Sequence, residues 1–210
     1  MYYIVKFLVW AAFKIAYSLS FEGRENIPKG VPVIYASNHR TNADPPLVGI
    51  GARGKYAFMA KEELFRNKLF GWLIRSLGAF PVSRGKGDMT VIDTACDRLD
   101  SGRSLMIFPE GTRSKDGKVH RGHSGAALIS ARSGAMIVPV GVCFGEKLRF
   151  RTKICVKYGE PIRPEDYIDK PEDPNPRQLV RLKNRYMEDI KLLVEGPAPA
   201  IEDKEGAQDE

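Results

Sequence analysis

The sequence predicts an α/β fold: a mixed, largely parallel central sheet flanked by helices, with an amphipathic helix ahead of it. From Pro28 onward, short apolar runs alternate with helical segments. That alternation sets helices on both faces of a sheet with parallel pairs. At 210 residues the chain suits one domain with a single substantial core. Its first twenty residues are strongly apolar yet are interrupted by Lys6 and Lys14.

In that opening segment the longest uninterrupted apolar run, Phe7 to Phe13, falls short of the ~20 residues a spanning helix needs. A lysine near the bilayer centre costs roughly 2.5–3.5 kcal/mol on insertion scales. Drawn as a helix, Tyr3, Lys6, Trp10, Lys14, Tyr17 and Ser18 gather on one side. Val5, Leu8, Ala12, Ile15, Ala16 and Leu19 gather on the other. Residues 1–21 are therefore expected to anchor the chain as a helix lying in the membrane surface, the alternative being a helix docked on the core. Charge inside the apolar region and the boundary Ser18-Leu19-Ser20 argue against a signal peptide.

Residues 22–195 form the expected main domain. Candidate strands are Val31–Ala36, Lys55–Ala60, Ala79–Ser83, Ser104–Phe108, Met136–Phe144 and Thr152–Tyr158. Candidate helices are Pro45–Gly51, Glu62–Gly78 with a break near Asn67, Met89–Leu99, Ser124–Ser133 and Gln178–Glu195. The last is closed by Gly196-Pro197. Residues 196–210 carry five acids (Glu202, Asp203, Glu205, Asp209, Glu210) against Lys204 and read as a disordered acidic tail. The whole chain has a net charge of +7, so the tail's −4 leaves +11 on residues 1–195. Such an excess favours anionic partners. The charges are dispersed and carry no aromatic-basic recognition motif, which argues against nucleic acid. Three scattered cysteines (Cys96, Cys143, Cys155) show neither metal-ligand spacing nor a disulfide framework and suit a reduced, cytoplasmic setting.

The chemistry begins at Asn38-His39-Arg40-Thr41-Asn42-Ala43-Asp44-Pro45. An imidazole titrates near neutral pH, and a carboxylate on one ring nitrogen fixes its tautomer. Pro45 pushes Asp44 out of the α region, so His39 falls on a tight loop after a strand, with Asp44 as the expected N-cap of the next helix. By spacing alone, the two residues read equally as a catalytic pair or as polar groups satisfying loop backbone.

Two other motifs fail on context. Gly49-Ile50-Gly51-Ala52-Arg53-Gly54-Lys55 mimics a phosphate-binding loop, but a helix precedes it and a strand follows, the reverse of what that site needs. It reads as a helix-to-strand turn. Gly122-His123-Ser124-Gly125-Ala126 resembles a nucleophile elbow, yet no histidine follows Ser124 to complete a triad. His120 and His123 have no obvious third metal ligand, so no metal site is expected.

A second constellation lies at Phe108-Pro109-Glu110-Gly111-Thr112-Arg113-Ser114, where a buried strand delivers a carboxylate, a glycine, a hydroxyl and a guanidinium. Arginine's fork suits a phosphate. Taken together, the blocks resemble the glycerophosphate and lysophospholipid acyltransferase family. Its N-H-x-x-x-x-D block is matched by Asn38, His39 and Asp44, and G-x-F-x-x-x-R by Gly78, Phe80 and Arg84. F-P-E-G-T-R-S is complete from Phe108 to Ser114, and the apolar strand with an internal proline is Ile137-Val138-Pro139-Val140. A basic residue and glycine before a small-residue helix appear as Arg121-Gly122.

The resemblance implies transfer of a fatty acyl group from a thioester to the sn-2 hydroxyl of lysophosphatidic acid, giving phosphatidic acid. Other lysophospholipids or glycerol-3-phosphate are the alternative acceptors. A non-catalytic membrane-surface binding protein is the alternative of a different class. The resemblance gives His39 the role of general base and Asp44 that of its partner. Arg84, Glu110, Gly111, Thr112, Arg113 and Arg121 are implied to bind substrate. It implies no cofactor beyond the acyl donor, coenzyme A or acyl carrier protein, and a place on the cytoplasmic face of the cell membrane.

Overall fold

The computed structural model describes residues 2–82 and 89–196. Seven strands, β1 (Ser18–Glu22), β2 (Ile34–Ser37), β3 (Tyr56–Lys61), β4 (Ala79–Val82), β5 (Ser104–Ile107), β6 (Ile137–Cys143) and β7 (Lys153–Tyr158), form one sheet. Their spatial order is β1-β7-β6-β2-β5-β3-β4. Among these strands β6 and β7 pair antiparallel, and the other neighbouring pairs are parallel. The mixed, largely parallel α/β sheet expected from the sequence is the fold.

Among the described residues, six α-helices flank it: α1 (Tyr2–Ala16), α2 (Asp44–Gly51), α3 (Lys68–Ser76), α4 (Met89–Asp100), α5 (Gly125–Ser133) and α6 (Pro176–Glu195). Strand residues alternate between faces with period two, so the apolar interior divides into two layers. Tyr35, Met106 and Val138 face α1, α2 and α3 through Val5, Leu47, Val48 and Ile74. Ile34, Leu105 and Ile137 face α4, α5 and α6 through Leu99, Ile129, Leu182 and Ile190. Burial on both faces explains why the central strands read as continuous apolar runs.

Three features differ from the sequence reading. The opening helix, expected to run through residue 21, stops at Ala16, and Ser18–Glu22 adds a strand on β7. This strand was overlooked because Ser18-Leu19-Ser20-Phe21 continues the apolar stretch with no turn residue between. Asp44 is not an N-cap; it is the first residue of α2, capped by Ala43 without a side-chain bond. The α1 faces are also rotated from those drawn. Val5 is buried and Lys6 points inward, while Tyr3, Ile4, Phe7, Leu8, Trp10 and Ile15 are exposed.

Lys6 turns inward because it finds a carbonyl there. Its Nζ donates to Ala52 O at 2.8 Å, and Arg24 Nε donates to Gly51 O at 3.1 Å. Two cations thus sit at the carboxyl end of α2, where the helix dipole favours positive charge. The expected break near Asn67 is real: a 3-10 turn spans Glu62–Phe65, and Asn67 Oδ1 accepts from Phe70 N at 3.0 Å to start α3. The three cysteines are free and partly buried, with Cys143 opposite Cys155 across β6 and β7. Among the described residues no helix is long and apolar enough to cross a membrane. The acidic tail, beyond Gly196, lies outside the described residues.

Candidate active site

The carboxyl ends of β2 and β5 are adjacent in a parallel pair, so the loops that follow them must meet at one sheet edge. Asn38 fixes the first loop. Its Nδ2 donates to Val142 O at 3.1 Å, and its Oδ1 accepts from Val142 N at 2.8 Å. This double bond to β6 continues the ladder beyond the last paired strand residue and delivers His39 to the edge. Arg40 repeats the tie outside, donating Nη1 to Phe144 O at 2.7 Å and Nη2 to Gly145 O at 2.9 Å.

His39 Nδ1 lies 2.8 Å from Asp44 Oδ2. The same oxygen accepts from Arg40 N at 2.6 Å and Thr41 N at 2.7 Å, while Asp44 Oδ1 accepts from Thr41 Oγ1 at 2.8 Å. The Asp44 side chain is fully buried, and that of His39 is 15% exposed. A buried carboxylate is tolerated when hydrogen bonds satisfy it, and Asp44 also sits at the positive end of α2. With Asp44 accepting, Nδ1 carries the proton in the neutral ring, so Nε2 holds the lone pair. Among the described residues Nε2 has no protein partner. The imidazole stacks on Phe108, with ring centroids 4.2 Å apart and planes 25° apart.

The loop after β5 grips His39 by its backbone. Glu110 Oε1 accepts from His39 N at 3.0 Å, and Ser114 N donates to His39 O at 2.7 Å. Glu110 Oε2 accepts from His120 N at 3.2 Å. Glu110, expected to shape a substrate subsite, is thus 5% exposed, with both oxygens committed to backbone donors. Burial pushes its carboxyl pKa up, and the two backbone hydrogen bonds partly oppose this. Gly111 turns the chain in the left-handed region, φ 68°, where a side chain is strained. Thr112 and Arg113 are exposed, and Arg113 Nη1 donates to Asn42 Oδ1 at 3.1 Å, bridging the two motif loops.

Arg121 lies one residue beyond His120 and is exposed. Arg84 lies outside the described residues. His120 Nε2 meets Asp116 Oδ1 at 2.8 Å, and His123 N donates to Pro109 O at 2.9 Å. No group of three or more metal-ligating side chains occurs among the described residues. The structure thus brings His39, Asp44, Glu110, Gly111 and Arg113 to one edge, with Arg121 beside them. Sequence reasoning missed the positioning roles of Arg40, Phe108 and Ser114. Phe108 and Ser114 lie inside the motif that carries Glu110, so their proximity was implicit there; nothing local marked Arg40.

The Acyltransferase family model matches residues 18–143. A 1-acyl-sn-glycerol-3-phosphate acyltransferase of Streptococcus pneumoniae is 33% identical over 199 residues, covering 91% of this chain and 71% of that protein. A chloroplastic 1-acyl-sn-glycerol-3-phosphate acyltransferase of Arabidopsis thaliana is 32% identical over 138 residues, covering 63% of this chain; the match spans only 38% of the plant protein's length. The crystal structure of the 1-acyl-sn-glycerophosphate (LPA) acyltransferase PlsC from Thermotoga maritima superposes with a TM-score of 0.75. It shares 28% identity, with 92% of this chain and 78% of that chain covered.

Proposed function

Because the chain belongs to the acyltransferase family, we propose that it transfers a fatty acyl group from a thioester to the sn-2 hydroxyl of lysophosphatidic acid, forming phosphatidic acid. The observation that carries this reading is the His39–Asp44 pair, whose geometry leaves Nε2 as the open, basic nitrogen. Nε2 takes the proton of the acceptor hydroxyl as its oxygen attacks the thioester carbonyl. General base catalysis of this kind is worth roughly 10²–10⁴ in rate. Asp44 stabilises the resulting imidazolium. The tetrahedral intermediate expels the thiolate, which takes the proton back from Nε2, so the step balances without a covalent acyl-enzyme. Backbone N–H groups near the motifs are the candidate donors to the oxyanion.

Arg113 supports phosphate binding on this reading, since its exposed guanidinium stands at the loop that holds the base. Arg84 joins it on sequence grounds, and Gly111 and Thr112 line the same turn. Glu110 acts by holding the backbone of His39 and His120 in place. The donor is a thioester of coenzyme A or acyl carrier protein.

Both lipids reside in a bilayer, and the surface suits one. The exposed α1 side chains Ile4, Phe7, Leu8 and Ile15 lie on the same sheet face as Leu69, Phe70 and Trp72 of α3, with Leu69 77% exposed. Lys14, Arg66, Lys68 and Arg75 accompany them. Apolar anchors with basic neighbours describe a surface that dips into an anionic leaflet. Phe108, beneath the imidazole, packs into the core layer on that face. These features support a peripheral place on the membrane, and on this reading the protein acts at its cytoplasmic face.

An acceptor-by-donor matrix tests the reading. Lysophosphatidic acid, glycerol-3-phosphate and other lysophospholipids are each offered with acyl-coenzyme A and acyl carrier protein, and thiol release is followed. Release that depends on lysophosphatidic acid supports the proposal. No release with any pair removes it and leaves non-catalytic membrane binding.

A further inference from the structure

On the α6 side of the sheet a cleft of about 430 Å³ is lined by Arg121, Gly122, Val180, Lys183, Asn184 and Met187. Lys183 is only 7% exposed. Its stem is covered, while its ammonium makes no hydrogen bond, ion pair or aromatic contact among the described residues and reaches solvent at the cleft. Arg121 also has no protein partner among the described residues, and no carboxylate lines the cleft. Two cations lining one cleft with no carboxylate between them repel one another. A bound anion would offset that repulsion.

The cleft is built into the fold. Gly122 is pressed onto α6 so closely that a Cβ there would stand 2.5 Å from Met187 Sδ and 3.1 Å from Pro109 Cβ. Tyr186 of α6 donates its hydroxyl to His123 O at 2.9 Å. These contacts set Arg121 in the same cleft as Lys183 and Asn184. The cleft is also tied to the catalytic edge: His120, next to Arg121, gives its N–H to Glu110, which holds the backbone N–H of His39.

Its position distinguishes the two substrates. The exposed apolar side chains of α1 and α3 lie on one face of the sheet, and α6 lies on the other. An anion reaching the α6 side arrives from water, whereas the acceptor's phosphate is held at the bilayer. We propose that Arg121, Lys183 and Asn184 form a phosphate site for the nucleotide end of a coenzyme A thioester, with the pantetheine arm crossing the sheet edge to His39. This inference rests on the acyl-transfer reading. Lysine and arginine supply the charge and Asn184 an amide donor, the combination that charge-assisted phosphate binding uses.

The test compares wild type with Lys183→Met and Asn184→Ala. Lys183→Met keeps an unbranched stem and removes only the charge; Asn184 is exposed, so its truncation leaves the core intact. KM is measured for acyl-coenzyme A, for the same donor lacking its 3′-phosphate, and for lysophosphatidic acid. Binding of free coenzyme A is measured by calorimetry, which needs no turnover and so stands apart from the acyl-transfer reading. The expected result for Lys183→Met is a roughly tenfold rise in both donor KM and coenzyme A Kd. The rise should be smaller for Asn184→Ala, with the acceptor KM unmoved and the melting temperature held. A rise in acceptor KM alone reassigns the cleft to the lipid headgroup phosphate and overturns the proposal. Unchanged coenzyme A affinity in both variants, or use of acyl carrier protein with no affinity for coenzyme A, overturns it as well.

Discussion

Glu110 Oε1 accepts the backbone N–H of His39 at 3.0 Å, so the carboxylate of one motif holds the main chain of the other. Buried and bonded at both oxygens, Glu110 sets where the imidazole stands. Truncation to Ala should lower kcat and the melting temperature together, with little change in KM for lysophosphatidic acid. Leaving two backbone N–H groups unpaired costs about 1–3 kcal/mol each. Glu110→Gln should recover part of both losses through its one remaining oxygen. A rise in KM with kcat and stability intact would instead mark Glu110 as a substrate ligand.

The same residue sets a pH dependence. Its carboxyl pKa is raised by burial, so the folded chain binds the proton more readily than the unfolded one. Stability from this source is complete below the ordinary glutamate pKa and is lost as pH rises through the raised value. Unfolding of wild type and Glu110→Gln across that acid window should show the slope in wild type alone. Equal slopes would contradict it.

Asp44→Asn should keep a similar shape and lose function. The amide can still accept from one side, but it also presents N–H groups to an oxygen position that now takes three donors. His39 would be driven to the other tautomer, with Nε2 protonated. A fall in kcat of about 10³–10⁴ is expected, read from initial rates at saturating substrates. A fall under tenfold would show that the pair does not set the tautomer.

Lys6 gives a second pH signature. Burial, with Arg24 adding repulsion, lowers its pKa from 10.5 to about 8. The unfolded chain therefore holds the proton more tightly between those values, and stability rises as pH climbs from 8 toward 10.5. Allowing for solvent screening of a side chain about one-third exposed, the gain is of order 1 kcal/mol. The difference in melting temperature between wild type and Lys6→Met should narrow across this window. A constant difference would place the ammonium in water.

Asn38→Ala tests the frame that presents the base. It removes both bonds to Val142 and leaves a buried N–H unpaired, at a cost of about 1–3 kcal/mol. Denaturant unfolding should show that loss, and kcat should fall with it because His39 is the next residue.

Much of this was legible in the sequence, for identifiable reasons. Strands β2 to β7 were found within a few residues because burial on both faces leaves apolar runs bounded by glycine and proline. His39 and Asp44 were legible from the motif spacing, and the loop between them is closed by Asp44 accepting from Arg40 N and Thr41 N at the start of α2. Strand β1 was hidden because its residues extend the apolar pattern of α1. The rotation of α1 was hidden for a different reason: Lys6 is drawn inward by the carbonyl of Ala52, forty-six positions away, which helix periodicity does not register. Glu110 was identified as functional but placed on the substrate, since only the fold reveals that His39 and His120 point their N–H groups at it. Lys183 carried no signal at all, being one basic residue among several on α6.

The central claim is that His39 Nε2 deprotonates the lipid hydroxyl. Its most direct test is the rate of phosphatidic acid formation from lysophosphatidic acid and acyl thioester by wild type and His39→Ala at matched melting temperatures. The expected result is a loss of about 10²–10⁴ in kcat with KM for both substrates little changed. A His39→Ala enzyme that forms phosphatidic acid at the wild-type rate would contradict it.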